Sequence, residues 1–594
     1  MKQATLAAAL CALAAPAFAQ STLVGGPMGF DPIAGSAYGQ SADPSAPFVV
    51  PTGFDQVLVS DEADLDLYRS LCASGVNPGS DWPDMSVANE TKKSAGRYLY
   101  RTHEVRPFLY DTTCAATPGA IARYKEQGGG AVSVIDLQTG ATSVLAQRAD
   151  WEALDGLLWT PWHTLLFAEE SINADIRDPQ VPQATSGLLY EVTLRQNNPA
   201  KARAVEVRPL LGSLSHEGIE VDAEGNVYVI DEDRRGSIYR FVPDEYGNLE
   251  KGQLQVLVVA GGAKTGFASW VDLDMVQAQI SARVAAQAVG GTPFCRPEDL
   301  ERIGSVLYAA LTCEDVTNAA NTSGPGAVLA IELGEAPIVR YFAAPGVNVP
   351  VENRTAGVTG MRAVDNLANG PDGKLWIVED NVPSDIWVAE PDNDGDGYAD
   401  AVHLFASLKD RTAEGTGIYF GNDPKTLFVN IQHSETGNDS TIVITKRPVG
   451  QMRSARSYRA WTATPKGRTE SPRCWATSDR TSEGTSSAGS IRSPSRRAGF
   501  EKARCCQYGM SGGHSESESS ASGHASAKSK LPPQPSSGCA DNIVSTSSIP
   551  PRSAPIRKNG SLTAHLQRPA RLARARGERA TRRATSGHAA MGGA

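Results

Sequence analysis

Long apolar runs are scarce in this sequence, and the run Ala4–Ala15 is too short to cross a bilayer. A polytopic membrane protein is thereby excluded. Cysteine is sparse, nine in 594 residues, with no CxxC or Cys/His cluster of the kind that holds zinc. Long amphipathic helical stretches are few in residues 95–446, where Val271–Val289 is the clearest candidate. The glycine run Gly128-Gly129-Gly130 reads as a turn and opens no helix, so it is not a dinucleotide site. Basic charge is short in the first three quarters of the chain. Residues 1–446 carry 31 Lys and Arg against 58 Asp and Glu, a net of −27. A body this acidic does not seek nucleic acid by bulk charge, whereas clustered carboxylates suit hard cations.

The two ends differ from that body. Met1-Lys2, the apolar run and Ala17-Phe18-Ala19 before Gln20 read as a cleaved export signal over residues 1–19. No transmembrane segment is expected once it is removed, and a periplasmic or secreted location follows. Export permits disulfides. The four body cysteines, Cys72, Cys114, Cys295 and Cys313, allow three connectivities, of which pairing by proximity joins Cys72 to Cys114 and Cys295 to Cys313. From residue 447 onward hydrophobic alternation stops, and 25 Lys and Arg stand against 8 Asp and Glu. Such a segment cannot bury enough apolar surface to offset its ordering entropy. Residues 447–594 are expected to be a disordered basic tail or a frameshift product without function.

What is abundant is short strands punctuated by Gly, Asp, Asn and Pro turns, which predicts an all-β fold. The strands repeat. Glu217–Asp231 and Asp365–Glu379 share an acid, an apolar residue two on, a glycine turn, an alternating strand and a second acid. Asp155–Glu169, Glu298–Glu314 and Glu414–His433 follow loosely, and Ser94–Glu104 keeps only the second half. Radial repetition of antiparallel units protects sheet edges, so the expected architecture is a six-bladed β-propeller with loop insertions over residues 95–446, preceded by an N-terminal extension, 20–94.

In a propeller, equivalent positions converge on one channel. Glu104, Glu169, Glu170, Glu217, Glu298 and Asp365 are therefore expected to form a carboxylate ring, whose mutual repulsion bound cations would relieve. A second cation site is legible on its own. Asp392, Asp394, Asp396 and Asp400 stand in a DxDxDGxxD loop in which Gly397 permits the sharp turn. Position twelve is His403, so this is not a full EF-hand.

Ordered motifs across residues 95–445 carry a family resemblance. Ser215-His216-Glu217-Gly218, Val227–Arg234 with Gly236–Pro243, Arg296-Pro297-Glu298-Asp299, Asp365-Asn366-Leu367 and Asn430–His433 resemble the signature of the PhoX-type secreted alkaline phosphatases. Thr102-His103-Glu104 and Pro161-Trp162-His163-Thr164 with Glu169-Glu170 resemble its early motifs. The resemblance implies iron and Ca²⁺ in the channel and hydrolysis of small phosphate monoesters, with Glu217 and Glu298 as shared ligands and Arg296 clamping the phosphoryl oxygens. Glu104, Glu169, Glu170 and Asp365 carry over as further ligands. From the residues alone, Arg296 could equally form a salt bridge with Glu298 or Asp299, and His216 could orient a ligand or merely pack.

One position departs from the family. Ala168 stands where the family has a cysteine whose thiolate binds iron, and an alanine supplies no soft ligand. Fe³⁺ is thus less secure than Ca²⁺. The alternatives are a calcium-dependent propeller hydrolase of another type, lactonase-like, or a non-catalytic calcium-stabilised binding propeller. A monomer is expected.

Overall fold

The computed structural model describes residues 24–38, 43–65, 82–92, 94–105, 129–148, 150–170, 172, 177–184, 186–349, 360–380, 382–435 and 439–448. All lie in a compact unit spanning Met1–Cys474; a second unit, Trp475–Ala594, falls outside them. So do residues 1–19, where an export signal is expected, Cys72, Cys114 and all but the first two residues of the basic tail.

The described chain is all-β apart from one α-helix and short 3-10 turns. Two N-terminal strands come first, β1 (Phe48–Val49) and β2 (Phe54–Asp61). Antiparallel meanders follow. The first comprises β3 (Pro83–Ala88), β4 (Tyr98–His103), β5 (Ala131–Asp136) and β6 (Ala141–Gln147), and the second β7 (Leu154–Trp159), β8 (Leu165–Glu169), β9 (Leu189–Arg195) and β10 (Asn198–Val207). Next come β11 (Ile219–Val221), β12 (Val227–Ile230), β13 (Ile238–Pro243) and β14 (Gly252–Val259). An insertion then adds β15 (Gly266–Asp272) and helix α1 (Met275–Ala288). The meander of β16 (Pro297–Ile303), β17 (Val306–Leu311), β18 (Ala327–Glu332) and β19 (Ile338–Ala343) is joined to the preceding one through β15. Then come β20 (Val364–Asn369), β21 (Leu375–Glu379), β22 (Asp385–Ala389) and β23 (Val402–Leu408), and last β24 (Glu414–Phe420), β25 (Thr426–Gln432) and β26 (Ser440–Lys446).

The last meander takes its outer strand from the N-terminus, β2 pairing with β26 from Phe54↔Lys446 to Asp61↔Ser440. This closure corrects the expected boundary at residue 95. Residues 20–94 are no separate extension, because they supply β1, β2 and β3.

The innermost strands contact one another in the order β3, β7, β11, β16, β20, β24 and back to β3, so the arrangement closes on itself and is propeller-like. The core is divided accordingly. Separate apolar clusters fill the spaces between successive sheets, such as Tyr228, Ile238, Leu300 and Leu307 between β11–β14 and β16–β19. Middle strands such as β12 and β21 are therefore buried on both faces and read as continuous apolar runs.

The helix expected at Val271–Val289 begins later, at Met275. Val271 still pairs with Val256 in the sheet, and the Asp274 carboxylate caps α1 by accepting N–H bonds from Val276 and Gln277. Among the described residues no helix is long and apolar enough to cross a membrane.

Candidate metal centre

Each innermost strand presents an acid at the same end. Asp84, Asp155, Glu298 and Asp365 are the second residues of β3, β7, β16 and β20, Glu414 is the first of β24, and Glu217 lies two residues before β11. The pairing register slips across the acid in β3, β7, β16 and β20, and from two residues beyond it in β24. A bulge at these places bends the strand and re-aims its side chains.

Small residues then let the backbones close in. A Cβ at Gly156 would lie 1.9 Å from the Glu217 carbonyl oxygen, and one at Gly417 would lie 1.8 Å from that of Asp84. Gly218 N donates to Glu298 O at 2.8 Å, and Gly417 N to Asn366 Oδ1 at 2.7 Å. The glycines beside Asp155, Glu217 and Glu414 (Gly156, Gly218 and Gly417) thus permit the ring to be this tight at those three places.

A second row comes from the ends of the partner strands: Glu104 after β4, Glu170 after β8, Glu232 after β12, Asp380 after β21 and His433 after β25. The two rows enclose a cavity of 320 Å³ lined by Asp84, Glu104, Asp155, Glu170, Glu217, Arg296, Glu298, Asp365, Asp380, Glu414, Gln432 and His433. Burial, followed by repulsion from neighbouring carboxylates, pushes Asp84, Asp155, Glu217, Glu298, Asp365 and Glu414 well above the usual carboxylate range. Asp84 Oδ1 and Asp155 Oδ1 are buried with no hydrogen-bond partner among the described residues.

Two triads bring donor oxygens within 4.8 Å of one another: Glu170, Glu217 and Glu232, and Glu217, Glu298 and Asp365. Glu217 belongs to both. The donors are all hard oxygens, and the orphaned oxygens of Asp84 and Asp155 face a cost that a cation would remove. This chemistry fits Ca²⁺ and other hard cations. Among the described residues the lining holds the His433 imidazole but no thiolate, and Ala168 packs into the apolar cluster of Leu166, Leu189 and Val229.

Among the described residues, Arg296 is the one arginine lining the cavity. Its Nε donates to Glu232 Oε1 at 2.6 Å and lies 3.1 Å from Glu298 Oε1; its Nη1 reaches Asp380 Oδ2 at 3.4 Å. The residue sits at φ +45°, a left-handed conformation unusual for a non-glycine, held by Arg296 N donating to Asp233 O and Thr312 N donating to Arg296 O. The Cys295–Cys313 disulfide flanks both residues, with Cα atoms 5.2 Å apart. The expected ion pair with Glu298 is present, while Asp299 turns away to accept from Leu300 N and Leu367 N.

The expected ring needs one correction. Glu104, Glu170, Glu217, Glu298 and Asp365 line the cavity, but Glu169 does not. Strand alternation turns it inward to accept from the N–H groups of Glu152, Gly187 and Leu188, and burial lifts it to about 8. His216 packs rather than lining the cavity. Its Nε2 is 3.2 Å from Gly212 O, and burial lowers it to about 4.

Asp84, Asp155, Glu232, Asp380 and Glu414 were not among the expected ligands. The signal for Asp155 and Glu414 was present, because each leads a repeat unit.

The acidic loop lies between β22 and β23. Asp392, Asp394 and Asp400 bring oxygens within 4.8 Å of one another. Asp396 is outside that triad; its Oδ1 accepts from Tyr398 N. Asp392 accepts from Gly395 N and Gly397 N, so the loop is wrapped around that carboxylate.

Fold and site together define an all-β, propeller-like protein with a carboxylate-lined cavity suited to cations. Residues 159–435 match the family model described as alkaline phosphatase PhoX, and the chain is PhoX-like over that span. Among solved structures, Pseudomonas fluorescens PhoX in complex with vanadate, a transition state analogue, is similar at 18% identity, over 69% of this chain and 98% of that one, with a TM-score of 0.48. A gluconolactonase from Xanthomonas campestris matches at 15% identity over 68% and 98%, TM-score 0.33. The Malassezia sympodialis allergen Mala s 1 matches at 11% over 63% and 96%, TM-score 0.34. No curated protein matches the sequence.

Proposed function

We propose that this chain is an exported, monomeric, metal-dependent phosphatase that hydrolyses small phosphate monoesters in the central cavity of a six-bladed propeller. The observation that carries the reading is an arginine set among the clustered carboxylates of one cavity, in a chain matching the alkaline phosphatase PhoX family. A bare acidic cavity repels a phosphate ester. The same cavity loaded with cations attracts one, and only then does Arg296 have an anion to hold.

Glu170, Glu217 and Glu232 would hold one Ca²⁺, and Glu217, Glu298 and Asp365 another. Asp84, Asp155, Glu104 and Glu414 supply further oxygens around the same space. Held by these carboxylates, hard cations would supply Lewis-acid chemistry toward a phosphoryl oxygen and a nucleophilic water. Arg296 offers Nη2 to a phosphoryl oxygen, while Glu232 fixes its Nε and thereby the plane of the fork. Asp380 limits rotation of Nη1. The buried walls keep bulk water from competing for these contacts. The Asp392–Asp400 loop would take a structural Ca²⁺ at the surface. A donor set dominated by carboxylate oxygens and without a thiolate favours Ca²⁺ over a thiolate-bound Fe³⁺.

The test is turnover of p-nitrophenyl phosphate by the exported chain with Ca²⁺, alongside metal analysis by mass spectrometry. Arg296→Ala is expected to cut kcat/KM by about 10²–10³-fold, the scale of losing one transition-state donor, with unchanged metal content. Calcium loading without turnover would refute the phosphatase reading.

A further inference from the structure

The insertion between β14 and β16 reaches the candidate site through one side chain. Arg283 lies on α1, beyond Ser281, where the backbone is extended rather than helical (φ −163°, ψ 104°). Its guanidinium is bidentate to Asp231, Nε to Oδ2 and Nη2 to Oδ1, each at 2.6 Å. Its Nη1 donates to Asp233 Oδ2 at 2.8 Å. The residue between these two acids, Glu232, holds Arg296 Nε at 2.6 Å, and the Asp233 carbonyl accepts from Arg296 N at 2.9 Å. Two of the contacts on Arg296, the Glu232 carboxylate on its Nε and the Asp233 carbonyl on its backbone N, therefore come from a three-residue segment gripped by Arg283, beside those from Glu298, Asp380 and Thr312.

The helix does not need this grip for its own seating. Ala278, Ala282, Ala285 and Ala286 already pack against the β11–β14 cluster, and Ser213 bonds the helix backbone twice, its N donating to Ala278 O and its O accepting from Ala282 N. Asp231 is fully buried, so removing its cation would leave a buried carboxylate facing only Ser215 N. The segment would then shift to reach water, and Glu232 with it.

We propose that Arg283 is a positioning residue that fixes the Asp231–Asp233 segment and, through Glu232 and the Asp233 carbonyl, holds Arg296 over the carboxylate cavity. This rests on the reading of Arg296 as the phosphoryl-binding group. Displacing that group by about 1 Å costs on the order of 10²-fold in rate.

The test is a double-mutant cycle on the metal-loaded full chain. Arg283→Gln is expected to lower kcat/KM for p-nitrophenyl phosphate by about 10- to 100-fold and to weaken inhibition by vanadate in parallel. In an Arg296→Ala background the same change is expected to alter kcat/KM by less than about 2-fold. Arg283→Lys, which keeps the charge but loses the fork, falls between. Asp233→Asn removes only the outer contact and serves as the milder variant if Arg283→Gln does not fold.

Equal losses in both backgrounds, or none in either, would overturn the proposal. Hydrogen exchange supplies an arm independent of turnover. Faster exchange confined to residues 231–236 and 294–297 supports the proposal, and uniform acceleration through β11–β19 overturns it. If the unsubstituted chain turns over no phosphate ester, the phosphatase reading fails, while the exchange result still decides whether Arg283 positions Arg296.

Discussion

Replacing Glu217 by glutamine should move the metal-free and metal-loaded proteins in opposite directions. Glu217 belongs to both carboxylate triads, each with oxygens within 4.8 Å of one another. Two unit charges at that separation, with an effective dielectric of 20, repel by about 3.5 kcal/mol. Glu217 has four such neighbours, Glu170, Glu232, Glu298 and Asp365, so full ionisation would cost about 14 kcal/mol around this one residue. That is comparable with the whole net stability of a typical domain, about 5–15 kcal/mol. The metal-free cavity therefore cannot carry all its charge, and its carboxyls titrate high.

Glutamine keeps the size of the side chain and removes one charge. At pH 8 in chelator the fold must either keep Glu217 protonated or bear its repulsion, and glutamine removes that cost, about 3.5 kcal/mol for one ionised neighbour. At roughly 1–2 °C per kcal/mol for an ordered body of this size, the melting midpoint should rise by about 3–7 °C. In Ca²⁺ the sign reverses, because two cation sites lose their shared ligand. Bound calcium should fall by up to two equivalents, and the calcium-induced rise in the midpoint should shrink. Scanning fluorimetry in chelator and in calcium, with metal counted by mass spectrometry, reads both effects. A variant that melts lower in chelator and keeps its full calcium complement would refute the reasoning, since Glu217 would then be a structural acceptor.

Three further outcomes follow from the same geometry. The metal-free protein should lose stability as pH rises from about 5 to 9, because Glu169, raised to about 8, and the cavity acids, also raised, stabilise the fold when protonated and cease to do so as pH passes their folded pKa; melting midpoints in chelator across that range check this, and a midpoint that climbs with pH would contradict it. Asp392→Asn with Asp394→Asn should abolish one calcium equivalent and part of the calcium-dependent rise in the midpoint while leaving kcat within about 2-fold, since the loop lies outside the cavity. Replacing Cys295 and Cys313 together by serine opens a loop of separation 18 and should cost about 3 kcal/mol, read by denaturant melts, with a further loss of turnover because Arg296 and Thr312 lie just inside the bridge.

The β content and the recurrence of acid, glycine turn and strand were legible because both are local. Alternation with period two survives wherever a strand has one wet face, and the leading acids at Glu217, Glu298 and Asp365 sit at equivalent places in the chain. The first meander was misplaced because its two inner strands are separated by turns of different composition, so Ser94–Glu104 looked like half a unit while Pro83–Ala88, carrying Asp84, looked like an extension. No local pattern announces that β2 will pair with β26 across nearly four hundred residues.

The choice between Glu169 and Glu170 shows the finer limit. Adjacent residues at a strand end point to opposite sides, and sequence alone does not say which side is the cavity. The register decides it: Leu154 pairs with Glu169, whose carboxylate is taken up by the backbone of Gly187 and Leu188, and the next residue, beyond the last pair, turns to the channel. The ring is therefore two rows, strand starts and strand ends. Mixing them puts Glu169, which does not line the cavity, into the ring and hides Asp155 and Glu414, which lead their repeats just as Glu217 leads its own. A repeat aligned on its leading acid alone would have placed both in the site, because the bulge and the close-packed glycine that aim the acid travel with it along the chain.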